Sequence, residues 1–148
     1  MLQNSQQNNF FVGSFITSVV GAAALILADF AGWYWGNYYV GVEERGWLDV
    51  SFDNILVAPI LLTAAILLLL CTYISIIALR GELPPQYLQY SKFAALISIG
   101  LQLVVAIIFI VIITLDESEW WFDFGFYGGF IGGILTFFLL NQASKTIE

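Results

Sequence analysis

Four long apolar stretches, separated by short polar segments, dominate the pattern of the chain. They cover about residues 10–30, 54–79, 90–115 and 120–141, and each is long enough to cross a bilayer as a helix, which takes about 20 residues. Within hydrocarbon, a helix satisfies every backbone donor and acceptor inside one segment. The pattern therefore predicts an all-α membrane protein, a single four-transmembrane-helix bundle over residues 1–148.

The connection between the first two spans, residues 31–53, is the one sizeable segment predicted to lie outside the membrane. Two aromatic and β-branched runs, 37–42 and 47–52, flank a polar turn at 43–46, which is the pattern of a β-hairpin. We therefore predict a short extracellular β-hairpin-like loop between helices 1 and 2. The alternative for the same residues is an irregular aromatic loop that lies in the membrane interface.

The positively charged residues predict the orientation. Arg80, Lys92 and Lys145 fall on one side of the four spans, and Arg45 falls on the other. Because cytoplasmic segments carry the excess of Lys and Arg, we expect a multi-pass protein of the cell membrane with its N and C termini in the cytoplasm. Most of the acidic residues then belong to the extracellular loops.

Composition narrows the function classes. The chain is 60% hydrophobic and 10% charged, whereas soluble domains average about 25% charged residues. Its formal net charge of −7 excludes nucleic acid as a partner, since Lys and Arg must neutralise phosphates. The chain has no histidine, and its single cysteine, Cys71, lies inside an apolar run. Without the commonest general base and metal ligands, we predict no enzyme activity, no cofactor and no metal site.

Small residues form a row in the fourth span at intervals of four, which is a glycine-zipper pattern. Missing side chains let a neighbouring backbone approach closely, and that contact drives helix association in lipid. The first span has a matching row, and we expect the two rows to pack together. The alternative is an interface with other membrane proteins or with a second copy of the chain. The rows are Gly125, Gly128, Gly129, Gly132 and Gly133 in the fourth span, and Gly13, Thr17 and Gly21 in the first.

Two polar residues fall at or near membrane depth. Gln102 lies near the middle of the third span, and Asp29 ends the first. A buried amide needs a hydrogen-bond partner, and we expect a structural bond from Gln102 to Thr72, to Ser75 or to a backbone carbonyl. Asp29 is expected to reach headgroup water. The alternative is that both residues line a polar route through the bundle.

The first outer connection is also the candidate recognition surface. Its charged and aromatic residues include Glu43, Glu44, Trp47 and Asp49, and we expect these four to face the extracellular side. Carboxylates bind hard cations such as calcium, but the sequence lacks the spaced acidic loop of a calcium site. A solvated acidic rim is the simpler interpretation.

Four spans, cytoplasmic termini and a large first outer loop resemble the topology of tetraspan proteins such as claudins and MARVEL-type chains. Gly46-Trp47-Leu48 resembles part of the Gly-Leu-Trp motif of the claudin loop, but the two cysteines of that loop have no counterpart here. Topology alone carries little information about function, so the chain is not assigned to either family.

The leading hypothesis is a non-enzymatic membrane protein that acts by helix association. It would serve as a tetraspan-like organiser or as an accessory or structural subunit of a membrane assembly. The alternative is a small transporter or channel subunit with a polar route past Gln102 and Asp29. Few ionisable residues fall at membrane depth, which favours the first hypothesis.

Overall fold

The computed structural model describes residues 2–33, 36–39, 52–116 and 120–146. The described chain is nearly all helical, with short strands at one end of the helices. The helices are α1 (Leu2–Leu27), α2 (Phe52–Leu79), α3 (Pro85–Asp116) and α4 (Phe124–Lys145), and the strands are β1 (Asp29–Trp33), β2 (Gly36–Tyr39) and β3 (Trp120–Phe122).

Four helices in the described residues are long and apolar enough to cross a membrane, as the sequence pattern predicted. Their apolar spans are Ser5–Leu27, Val57–Leu79, Gln86–Val111 and Phe124–Lys145. This architecture is compatible with a multi-pass membrane protein.

Two predicted spans extend into residues that the structure places in strands. Helix α1 ends at Leu27 rather than near residue 30, and α4 begins at Phe124 rather than near residue 120. In both places the residues beyond the helix form strands, because β1 and β3 pair with each other. The backbone N–H of Asp123 also donates to the carbonyl of Phe30 at 3.0 Å, which ties the start of α4 to the end of α1.

The strands form one antiparallel sheet in the order β2-β1-β3. Strand β1 pairs with β2 on one side, with Ala31 opposite Tyr38, and with β3 on the other, with Ala31 opposite Phe122. The hairpin predicted over residues 37–52 is not shown by this sheet. Only the beginning of its first arm falls in β2, and its second arm lies almost wholly outside the described residues, so the hairpin stays a prediction.

The four helices form a closed ring in which α1 contacts α2 and α4, and α3 contacts the same two helices from the opposite side. One apolar cluster, with Phe30, Leu61 and Phe109, fills the interior near the sheet. A second cluster, with Cys71 and Leu140, fills it toward the α2–α3 connection. We call the two ends of the bundle the sheet end and the connection end.

The connection between α2 and α3 is a tight turn. Gly81 has φ of 77°, a left-handed conformation that glycine adopts without steric cost. Its N–H donates to the carbonyl of Ala78, and the N–H of Glu82 donates to that of Ile77. This is a Schellman-type helix end, and Pro85 then begins α3.

Candidate functional site: the small-residue seam and the buried polar residues

Helices α1 and α4 contact each other through backbone atoms at a point where one glycine lies opposite another. A Cβ atom built on Gly132 would lie 2.8 Å from the Cα atom of Gly21 and 2.9 Å from the carbonyl oxygen of Thr17. A Cβ on Gly21 would in turn lie 3.3 Å from the Cα of Gly132. These distances leave no space for a methyl group, so the two backbones touch.

The contact continues along both helices. A Cβ on Gly128 would lie 2.6 Å from the Cβ of Ala24, and one on Gly125 would lie 2.6 Å from the carbonyl oxygen of Asp29. Toward the connection end, a Cβ on Gly13 would lie 3.0 Å from Leu139. We call this line of contacts the small-residue seam; its members are Gly13, Thr17 and Gly21 of α1 and Gly125, Gly128 and Gly132 of α4.

The two remaining glycines of the row face the bundle interior. A Cβ on Gly129 would lie 2.6 Å from the Leu25 side chain and 2.7 Å from Oε1 of Gln102. A Cβ on Gly133 would lie 2.9 Å from Ile99 of α3. The absence of side chains at these two positions therefore leaves space for the side chains of Gln102 and Ile99 of α3.

Pairs of hydroxyl groups bridge α1 to both of its neighbours. The side-chain oxygens of Thr17 and Thr136 lie 2.8 Å apart, which joins α1 to α4. Those of Ser18 and Thr72 are also 2.8 Å apart, and they join α1 to α2. All four residues are buried or half-buried. Because the bilayer core holds no water to hydrogen-bond them, the hydroxyl groups satisfy one another.

A further pair lies closer to the connection end, where Ser75 donates to the hydroxyl of Ser14 at 3.1 Å. The sequence pattern did not predict these hydroxyl bridges. The available signal was spacing: Ser14 and Ser18 are four residues apart, and Thr72 and Ser75 are three apart, so each pair shares one helix face.

Gln102 is fully buried at the centre of the bundle. Its Nε2 donates to the hydroxyl of Ser98 at 3.4 Å, and that hydroxyl donates to the carbonyl of Ala64 on α2 at 2.9 Å. The partner is thus on the same helix, one turn away, and not Thr72 or Ser75, which bond to α1 instead. Within the described residues, Oε1 of Gln102 has no hydrogen-bond partner.

Asp29 lies in strand β1 at the sheet end, beyond the last residue of α1. It is half-buried, and its backbone carbonyl lies against Gly125. Gln102 of α3 lies against Gly129, which is on α4 like Gly125. Asp29 and Gln102 therefore contact α4 at positions about 6 Å apart along its axis, at 1.5 Å per residue.

The candidate extracellular residues Glu43, Glu44, Trp47 and Asp49 lie outside the described residues, and their role as a recognition surface stays a prediction. Among residues 2–33, 36–39, 52–116 and 120–146, no three acidic, cysteine or histidine side chains come together as a metal site would require.

A groove opens between α1 and α4 on the outer surface of the bundle. Its volume is about 370 Å³, and its lining is wholly apolar. The small-residue seam forms its floor, with Thr17, Gly128 and Gly132. The walls are larger apolar side chains: Ile16, Val20, Phe124, Tyr127, Ile131 and Leu135.

Comparison with known protein families, with curated proteins and with solved structures finds no match to this chain.

Proposed function

We propose that the chain is a non-enzymatic multi-pass membrane protein that acts by helix association, as a tetraspan-like organiser or as an accessory or structural subunit of a membrane assembly. The observation that carries this proposal is the groove between α1 and α4. Its occupant is a transmembrane helix, either of another membrane protein or of a second copy of the chain.

The shape of the groove supports a helix as its occupant. Transmembrane helices associate where small residues allow close approach and larger side chains interlock beside them. Here Gly128 and Gly132 supply the floor, while Ile131 and Tyr127 stand at the rim, about half exposed. A ridge of side chains from a partner helix would fit between these walls.

The small-residue seam beneath the groove preorganises the groove for binding a partner helix. Because the backbones of α1 and α4 touch at Gly21 and Gly132, the groove keeps its shape before a partner helix binds. Binding to a preformed surface avoids the free-energy cost of ordering it. The glycines thus serve internal packing first and shape the partner surface second.

Two tryptophan variants test this assignment. Ile131 lines the groove and is 52% exposed, whereas Ile134 lies outside it and is 43% exposed. Ile131→Trp should fill the groove and abolish crosslinking of the chain to its partner in native membranes. Ile134→Trp should leave crosslinking unchanged. Equal crosslinking by the two variants would contradict the groove as the association site.

The proposed location is the cell membrane, with both termini in the cytoplasm. Arg80, Lys92 and Lys145 support this orientation because all three lie at the connection end, the end expected to face the cytoplasm. There the ammonium group of Lys92 donates to the hydroxyl of Ser144 at 3.2 Å, which links α3 to α4.

A second candidate function, a small transporter or channel subunit, is favoured by one observation. The amide oxygen of Gln102 is buried without a hydrogen-bond partner in the described part of the chain, and such a group is costly unless it serves a purpose. Reconstituted into liposomes, the unmodified protein should show no ion or proton flux above empty vesicles. A saturable flux that Gln102→Leu abolishes would establish this second function instead.

A further inference from the structure

A second cavity lies at the connection end, between the last turns of α2 and the first turn of α3. Its volume is about 610 Å³, within the range of small-molecule sites in proteins, about 300–1,000 Å³. It is distinct from the groove between α1 and α4, and no residue lines both. We call it the α2–α3 cleft.

The cleft changes character along its length. Leu70, Tyr73 and Ile74 line its deep part, Ile77 and Tyr87 follow, and Arg80 lines it at the connection end. From Leu70 to Arg80 is ten residues of α2, or about 15 Å at 1.5 Å per residue. That is half of the roughly 30 Å hydrocarbon thickness of a bilayer. The cleft therefore spans the depth of one leaflet.

The lining changes from apolar to charged in the same direction as a lipid of that leaflet, from its acyl chains to its headgroup. Acyl chains would meet Leu70, Ile74 and Ile77, and the headgroup would meet the charged side chains at the connection end. Tyr87, in the first turn of α3, lies near the charged end, where aromatic rings with a hydroxyl favour the membrane interface.

Two opposite charges stand together at the mouth of the cleft. Arg80 and Glu82 both line it and are both exposed. Within the described residues neither forms an ion pair, with the other or with any third residue. They flank Gly81 in the turn that ends α2, where the N–H of Glu82 donates to the carbonyl of Ile77. A cation and an anion at the mouth of one cleft are complementary to a zwitterion.

We propose that the α2–α3 cleft binds one zwitterionic phospholipid from the leaflet at the connection end. The guanidinium of Arg80 donates to the lipid phosphate, which Arg binds with good geometry. The carboxylate of Glu82 accepts from the headgroup ammonium. An anionic phospholipid without the ammonium would meet Glu82 as a like charge. The site is independent of partner association at the α1–α4 groove.

The experiment uses the full chain in mild detergent, with added phosphatidylethanolamine or phosphatidylglycerol of identical acyl chains. Native mass spectrometry counts the lipids retained and gives an apparent Kd for each. We expect one phosphatidylethanolamine bound more tightly than phosphatidylglycerol. Tighter binding of phosphatidylglycerol, or equal binding of the two, would overturn the proposal.

Charge variants test the two headgroup contacts separately. Arg80→Gln should weaken phosphatidylethanolamine binding about tenfold, the usual effect of losing one charge-assisted hydrogen bond. Glu82→Gln should weaken it also, and should narrow or reverse the preference over phosphatidylglycerol. Lys145→Gln removes a positive charge at the same end but outside the cleft, and should change nothing. An equal effect of Arg80→Gln and Lys145→Gln would refute the site.

Two tryptophan variants test the acyl-chain part. Leu70 lines the cleft and is 42% exposed, and its neighbour Leu69 lies outside it and is 43% exposed. Leu70→Trp should occupy the cleft and abolish retention of the bound lipid, while Leu69→Trp should preserve it. Thermal unfolding of each variant establishes that it is folded. Retention by both variants would contradict the proposal even if partner association at the other groove were established.

Discussion

Replacing Gly132 by alanine tests the contact of backbone with backbone between α1 and α4. The new Cβ would lie 2.8 Å from the Cα atom of Gly21 and 2.9 Å from the carbonyl oxygen of Thr17. Both are backbone atoms, so no change of side-chain rotamer relieves the clash. Helices α1 and α4 must move apart, and the closest contacts of the seam loosen with them.

The magnitude follows from what a single extra methyl group costs in a packed interior, about 1–3 kcal/mol. Separation also stretches the hydrogen bond between Thr17 and Thr136, now 2.8 Å, and such bonds in membranes average about 0.6 kcal/mol. We expect Gly132→Ala to lower the free energy of unfolding by about 1–3 kcal/mol, measured by denaturant or thermal unfolding in mild detergent.

Gly100 provides the matched control, because it also lies within a helix but faces outward. A Cβ there would meet no atom within 4 Å, and alanine favours helix over glycine. Gly100→Ala should therefore unfold at the same or slightly higher denaturant concentration. If Gly132→Ala were as stable as Gly100→Ala, the backbone contact between α1 and α4 would be refuted.

Three further predictions concern buried polar groups and orientation. Thr136→Val should lower the free energy of unfolding by about 0.6–1.7 kcal/mol, whereas Thr63→Val should have little effect because the Thr63 hydroxyl is exposed and bonds only within its own helix; equal losses would contradict the bridge to α1. Gln102→Leu should leave thermal stability unchanged or raised, because the amide oxygen has no partner within the described residues and an apolar side chain removes that cost; a large loss would show that the amide is needed. With the native cysteine removed, a cysteine at Glu117 should react with an impermeant reagent outside the cell and one at Ser144 should not, and the reverse would invert the proposed orientation.

The helices were predictable because length and hydropathy alone decide whether a segment can cross a bilayer. The residues at which the helices begin and end were less predictable. Residues 30–33 and Trp120–Phe122 continue the apolar pattern of the adjoining spans. The backbone groups of β1 and β3 nevertheless pair with each other, although the strands are some 90 residues apart in sequence. Apolar aromatic residues are compatible with a helix or a strand. Pairing with a strand that is distant in sequence determines which of the two forms, and the local sequence does not show that pairing.

The candidate site was predictable in kind and not in detail. Spacing showed that the α4 glycines share a helix face, and the matching row in α1 indicated the partner. The role of Gly129 was not visible, because it depends on the Gln102 side chain folding over it. Nor was the bond from Gln102 to Ser98, since a polar residue one turn away on the same helix competes with any partner across the bundle.

The mass of the protein extracted from its native membrane in mild detergent tests the central claim most directly. The proposal predicts a discrete complex heavier than the 16.5 kDa chain, preserved in Ile134→Trp and reduced to the monomer in Ile131→Trp. A folded monomer of 16.5 kDa in the unmodified protein and in both variants would contradict association through the α1–α4 groove.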